Sequence, residues 1–84
     1  MRYFFNVRTD ERVVLDLEGQ ELPSEEAARL EAISAAKEIV GRELLNDGAV
    51  DWKGAIEIVA NDLVIDRIAF LQAVGLYLEL SEQS

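Results

Sequence analysis

One long helix-forming stretch in the middle of the chain constrains the fold more than any other feature. It begins after Pro23, where the Ser24 hydroxyl can accept a hydrogen bond from a backbone N–H that the helix leaves unpaired. Glutamates occupy the first turn, where the positive end of the helix dipole favours carboxylates. Strong helix formers continue to Leu45, and either Asn46 or Gly48 can adopt the left-handed conformation that ends a helix. The pattern predicts a single helix between Ser24 and Leu45.

Two apolar strips lie side by side on this helix. The first is mostly alanine, which allows close approach to a β-sheet; its members are Ala28, Ala32, Ala35, Ala36 and Ile39. The second strip is bulkier and needs a separate cover, which is either the C-terminal segment or a second copy of the protein. Its members are Leu30, Ile33, Val40 and Leu44.

The segments on both sides of the helix have the alternating pattern of β-strands. Residues 3–8 and 13–17 are separated by a short polar turn and predict an antiparallel hairpin, after which residues 18–23 break the pattern. Residues 55–60 and 63–68 predict a second hairpin around an Asn-Asp turn.

The predicted fold class is therefore α+β, with the element order β-β-α-β-β. A mainly antiparallel four-stranded sheet carries one long helix on one face, and a short C-terminal helix follows. Residues 69–80 contain nine apolar residues in twelve. Both a helix and a strand fit this segment, and its length and its Ala, Leu and Gln content favour the helix. We expect a single domain over residues 1–84, with a core over about 2–70 and an apolar C-terminal extension over about 69–80.

The composition excludes several classes of function. The 84 residues include no cysteine and no histidine, which removes disulfide scaffolds, zinc sites built on thiolate or imidazole, cysteine nucleophiles and imidazole-based triads. Seventeen acidic residues against eight basic ones give a net charge of −9, which disfavours binding to the negative backbone of nucleic acids. No apolar stretch approaches the ~18 residues of a membrane span. We therefore expect a soluble, cytoplasmic protein that is not an enzyme and binds no cofactor.

Four carboxylates near the N-terminus are the best candidate for a ligand site: Asp10, Asp16, Glu18 and Glu21. Carboxylates beside a sheet can bind a hard cation such as Mg²⁺ or Ca²⁺, although this spacing does not match an EF-hand. The alternative, which the sequence favours, is a solvated loop in which these side chains form turns. In that case Asp16 accepts backbone hydrogen bonds, and Gly19 provides a positive φ angle.

The apolar side chains outnumber those that one helix–sheet interface can cover. Because Tyr3 and Phe5 are expected to face the helix, Phe4 is expected on the uncovered side of the sheet. We hypothesise a homodimer or a small oligomer that is sealed in part by the C-terminal segment. The candidate interface residues are Phe4, Leu30, Ile33, Leu44, Leu71, Leu76, Leu78 and Leu80.

Several residues give the chain a resemblance to a protein family. They are the opening Arg2-Tyr3-Phe4-Phe5, the Asp16-x-x-Gly19 and Leu22-Pro23 motifs, the alanines of the helix and the later Ile56-Glu57-Ile58. Over roughly residues 2–70 the chain resembles short acidic bacterial proteins that are classed as a domain of unknown function. The resemblance implies this fold and a bacterial cytosolic setting, and it implies no activity. Members commonly carry histidine after the aromatic pair, where this chain has Asn6, which argues against imidazole chemistry at that position.

Three classes of function follow from these observations. The leading one is a non-catalytic protein–protein interaction module that self-associates as a homodimer. The second is an acidic decoy that binds a basic, nucleic-acid-binding protein. The third is a carboxylate-dependent enzyme or a carboxylate-based binder of divalent cations.

Overall fold

The central helix, α1 (Glu25–Asp47), begins where the sequence predicts and ends two residues beyond the predicted Leu45. The structure is a computed structural model that describes residues 1–75. The Ser24 hydroxyl accepts a hydrogen bond from the Ala27 N–H at 3.1 Å. At the other end Gly48 is left-handed, with a φ of 71°, and its N–H donates to the Leu44 carbonyl at 3.2 Å. Both capping predictions are confirmed.

The helix packs on one face of an antiparallel sheet, which confirms the predicted α+β class. The strands are β1 (Arg2–Arg8), β2 (Val13–Val14), β3 (Gln20–Glu21), β4 (Ala55–Ala60) and β5 (Leu63–Ala69). A short helix, α2, covers residues 70–75. The strand order is β2-β1-β4-β5, and β3 also pairs with β1. Thus β4 and β1 form the centre of the sheet.

The first hairpin differs from its prediction. The predicted strand over residues 13–17 is only two residues long, and a further two-residue strand, β3, forms within the stretch that was expected to be irregular. β2 pairs with the C-terminal end of β1 and β3 pairs with its N-terminal end. The sheet therefore has five strands rather than four, because the chain leaves the edge of β1 at Leu15 and returns to it at Gln20.

The core lies between α1 and the sheet. Tyr3, Phe5 and Val7 contribute to it from β1, as the alternation predicts. The helix contributes mainly small residues, and its buried positions are Ala28, Ala32, Ala36 and Val40. The alanines allow α1 to approach the sheet closely, as predicted. Val40 belongs to the bulkier strip by its angle on the helix, yet it lies in this core.

The second hairpin forms as predicted. Asn61 and Asp62 have positive φ angles of 53° and 64°, which is the geometry of a two-residue type I′ turn. One irregularity follows: the register of β4 with β5 shifts between Ile58 and Val59, which indicates a β-bulge. After β5 the chain enters α2, where Phe70 and Ala73 are fully buried. Among the described residues, no helix combines the length and the apolar character needed to cross a membrane.

Candidate functional site

Within residues 1–75, no helix covers the side of the sheet opposite α1, which we call the open face; the loop between β2 and β3 lies against part of it, at Phe4 and Asn6. Strand register places the members of this face, because residues on alternate positions share a side of the sheet. Its members on β1, β4 and β5 include Phe4, Asn6, Arg8, Glu57, Val59, Val64 and Arg67. Phe4, Val59 and Val64 lie opposite one another on three neighbouring strands and form an apolar row. Val64 is 57% exposed, so part of this row is in contact with solvent.

A charged row lies beside the apolar one. Glu57 faces Asn6 on β1 and Arg67 on β5. The Nε of Arg8 donates to the Glu57 carboxylate at 2.9 Å, and the Glu57 side chain is only 15% exposed. A glutamate that is largely removed from water is thus stabilised by an ion pair with Arg8.

The open face differs in charge from the rest of the molecule. Three arginines lie on it, Arg2, Arg8 and Arg67, against two glutamates, Glu21 and Glu57. The whole chain has a net charge of −9. By this count the open face is close to neutral, in contrast to the chain as a whole.

The Asp16 carboxylate joins the loop between β2 and β3 to the edge of β1. One oxygen accepts from the Phe5 N–H at 3.1 Å, and the other accepts from the N–H groups of Gly19 at 3.1 Å and Glu18 at 3.2 Å. The Asp16 N–H in turn donates to the Asn6 side-chain oxygen at 2.9 Å. The predicted structural role of Asp16 is confirmed, and Gly19 has the predicted positive φ, 70°. This carboxylate satisfies an N–H of β1 that the interrupted edge strand leaves unpaired.

These contacts also set the ionisation of Asp16. Partial burial opposes its charge and raises its pKa, whereas the hydrogen bonds from Gly19, Phe5 and Glu18 lower it, as does the nearby charge of Arg2. The net result is a pKa below the ordinary value of 3.8. Asp16 is therefore held as a carboxylate, which suits a hydrogen-bond acceptor and not a proton donor.

The four loop carboxylates do not form one site. Asp10 lies 3.6 Å from the Lys53 ammonium, at the opposite end of β1 from Glu21. Glu21 pairs with the N-terminal amine at 3.3 Å and with Arg2 at 3.6 Å. Within residues 1–75, no group of three or more acidic side chains is placed to hold a metal ion.

A separate acidic cleft lies where the end of α1 approaches the β1–β2 turn. Its volume is 630 Å³, and it is lined by Thr9, Asp10, Glu11, Arg12, Glu43, Asp47 and Asp51. The last turn of α1 contains no basic residue, so the negative end of the helix dipole adds to the carboxylates. Of these carboxylates, only Asp10 belongs to the predicted cluster; the concentration of Glu43, Asp47 and Asp51 in the last helical turns and the next loop was the available signal for the cleft. Five carboxylates against the single Arg12 make the lining of this cleft net negative.

The predicted interface residues have different environments. Leu30, Leu44 and Leu71 are exposed, whereas Ile33 is half-buried against the core. Phe4 is half-buried, with its ring beside Gly19. Leu76, Leu78 and Leu80 lie outside the described residues, as does most of the segment for which both a helix and a strand were considered. Within that segment, residues 70–75 are helical.

Comparisons with known proteins agree with the predicted resemblance at the level of the family. A family model described as Domain of unknown function (DUF6894) matches residues 2–68. Neither the curated proteins nor the solved structures yield a match to this chain. The matched region includes β1 to β4 and nearly all of β5, and with them the open face and the Asp16 loop. Because the match covers most of the chain, the protein belongs to the family Domain of unknown function (DUF6894).

Proposed function

We propose that the protein is a non-catalytic interaction module that self-associates through the open face of its sheet. The observation that carries this proposal is the apolar row formed by Phe4, Val59 and Val64 on the side of the sheet opposite α1. Burying this row in a second copy is favourable because it removes apolar surface from water. Ile65, next to the row on β5, is also exposed.

Charge supports this face over the others. Two copies of a chain with a net charge of −9 repel each other wherever their acidic surfaces meet. The open face avoids this repulsion because its arginines and glutamates nearly balance. In a twofold arrangement each copy also presents Arg8 and Arg67 to the partner's acidic side chains, which favours correct pairing.

The size of the face predicts weak association. β1 and β5 are each seven residues long; at about 3.3 Å per residue and about 4.8 Å between strands, three strands present on the order of 350 Å². Two such faces bury about 700 Å², which is less than the ~1,200 Å² that stable complexes bury. We therefore expect a concentration-dependent equilibrium between monomer and dimer.

Sedimentation velocity over a range from micromolar to submillimolar concentration tests the proposal. The variant Val64→Lys places a charge in the apolar row. The matched control is Leu45→Lys, since Leu45 is 89% exposed at the end of α1 and lies away from the sheet. We expect the mass of the parent and of the control to rise above 9.4 kDa with concentration, while Val64→Lys remains monomeric.

Two results would overturn this proposal. One is a parent protein that stays at 9.4 kDa throughout. The other is association that survives Val64→Lys but is lost in Leu30→Lys or Leu71→Lys, which would move the interface to the exposed leucines of the helices.

The acidic cleft favours a second candidate function, in which the protein occupies a basic surface of another protein. Glu43, Asp47 and Asp51 would contact Lys and Arg side chains there, and a short lysine-rich peptide is a suitable probe. We expect salt-sensitive binding that is lost in Asp47→Lys and retained in Glu31→Lys, which makes the same charge change on an exposed position of α1 away from the cleft. Equal binding by both variants would show a response to net charge alone.

The bacterial cytoplasm remains the proposed setting. The support is the resemblance of the N-terminal motifs and a composition without cysteine, which suits a reducing compartment.

A further inference from the structure

The outer edge of β5 is the longest unpaired strand edge in the described part of the chain. β5 is the last strand in the sheet order, and within residues 1–75 no other strand pairs with its outer side. It is seven residues long, and its first three, Leu63, Val64 and Ile65, are exposed and apolar. Long apolar edges of this kind tend to pair with strands of other molecules.

The backbone of β5 shows which groups point outward. The Phe70 N–H donates to the Gly54 carbonyl at 3.0 Å and therefore points toward β4. Because these directions alternate along a strand, the Arg67 N–H points away from the sheet. An incoming strand would need this N–H as a donor.

In this structure the Arg67 N–H is already bonded to the Asp66 carboxylate. Its Oδ1 accepts from the Arg67 N–H at 2.8 Å, and its Oδ2 accepts from the Arg29 guanidinium. Arg29 lies on α1, so the helix holds the carboxylate in position over the edge. Asp66 faces Ile58 on the helix side of the sheet, and a charged residue that points inward on an edge strand is a known means of preventing strand addition.

We propose that the β5 edge can pair with β5 of a second copy, and that Asp66 prevents this pairing in the parent protein. Antiparallel pairing of two identical edges is self-complementary, because each strand offers the same groups to its partner around a twofold axis. The bulge between Ile58 and Val59 adds to this protection, since it distorts the neighbouring ladder. The inference is separate from the proposed function, which uses the open face and not the edge.

The variant Asp66→Val tests the inference. Valine is a good strand former and fits opposite Ile58, but it offers no acceptor to the Arg67 N–H. The control Glu38→Val makes the same loss of charge and gain of apolar surface at an exposed position of α1. Asp66→Asn keeps one side-chain oxygen as an acceptor, and Asp66→Ala removes the acceptor with less gain of apolar surface.

We expect the mass of Asp66→Val, measured by light scattering, to approach twice that of the parent at equal concentration. Asp66→Ala should shift in the same direction, and Asp66→Asn and Glu38→Val should behave as the parent. Hydrogen exchange read by NMR should slow at the amide of Arg67 in the associated form alone. Slowing there identifies edge pairing, whatever the parent does through its open face.

The inference is wrong if Asp66→Val and Asp66→Ala keep the parent's mass while their circular dichroism stays native. It is equally wrong if Glu38→Val associates as strongly as Asp66→Val, or if association leaves the exchange of the β5 amides unchanged. Should Asp66→Val not fold, the comparison of Asp66→Ala with Asp66→Asn decides the question.

Discussion

The ring of Phe4 lies directly against Gly19: a Cβ atom at position 19 would be 2.8 Å from Phe4 Cε1. The same atom would be 2.9 Å from Arg2 Cγ, and Gly19 has a φ of 70° that side-chain-bearing residues rarely adopt. The loop that carries Asp16 can approach β1 only because this residue is glycine.

Gly19→Ala should therefore lower the free energy of unfolding by about 1–3 kcal/mol, since it adds both backbone strain and a steric conflict. Gly41→Ala is the matched control, because position 41 lies inside α1 with nothing within 4 Å of an added Cβ. That control should raise the stability by roughly 0.5–1 kcal/mol, as alanine is the better helix former. Urea denaturation measures both, and equal effects of the two substitutions would contradict the proposed contact.

Replacing Asp16 with asparagine should reduce stability by about 1–3 kcal/mol at neutral pH. The amide keeps one oxygen but places an NH₂ donor where either Phe5 or the Gly19–Glu18 pair needs an acceptor. Chemical denaturation at neutral pH measures this loss, and an unchanged unfolding midpoint would show that the three hydrogen bonds contribute nothing.

The difference in stability between the parent and Asp16→Asn should depend on pH. The pKa of Asp16 is lowered in the folded protein, so its stabilising effect is fully present above the unfolded pKa, which is the ordinary value of 3.8. The effect is lost as the pH falls through the lowered folded pKa. We expect the two unfolding free energies to differ by a constant amount from neutral pH to about pH 5 and then to converge in acid. A difference that stays constant to strong acid would show that the charge of Asp16 is irrelevant.

The interrupted first hairpin shows where sequence patterns fail. Residues 13–17 have the apolar character of a strand, yet Leu15 and Leu17 are exposed. The side chain of Asp16 takes the place of a strand backbone at Phe5, and period-two alternation does not encode such a bond. The prediction that Asp16 forms a turn in a loop was correct. The prediction of a strand over residues 13–17 was wrong in length, because only Val13 and Val14 form one.

The helix and the second hairpin were predictable because each is specified locally. Ser24 and Gly48 determine the ends of α1, and Asn61 with Asp62 determines the turn between β4 and β5. The candidate sites depend instead on contacts between distant residues, such as Arg29 with Asp66 or Arg8 with Glu57. A carboxylate inside the apolar run from Leu63 to Ile68 was the available sign that β5 is a protected edge.

The ion pair between Arg29 and Asp66 should be worth about 0.5–1 kcal/mol in a double-mutant cycle that uses Arg29→Gln and Asp66→Asn. The value is modest because the two side chains are 42% and 32% exposed. Burial raises the pKa of Asp66, but the hydrogen bonds from Arg29 and the Arg67 N–H, with the charge of Arg29, lower it below 3.8. The coupling should therefore be present at neutral pH, decrease in acid as Asp66 becomes protonated, and weaken in high salt. A coupling free energy that changes with neither salt nor pH would contradict a contact based on charge.

The contact between Gly54 and Phe70 should limit position 54 to glycine. A Cβ atom there would lie 2.5 Å from Phe70 Cε2, and the ring is fully buried, so it cannot move into solvent. The backbone cannot yield either, because the Gly54 carbonyl accepts from the Phe70 N–H and the Gly54 N–H donates to the Asp51 carbonyl.

Gly54→Ala should cost about 1–3 kcal/mol of unfolding free energy. Phe70→Leu alone should also destabilise the protein by leaving a cavity. In the double variant the smaller leucine makes room for the new methyl group. The double variant should therefore lose less unfolding free energy than the two single variants lose in sum. Thermal unfolding of the four proteins measures this, and strict additivity would show that the ring of Phe70 does not limit position 54.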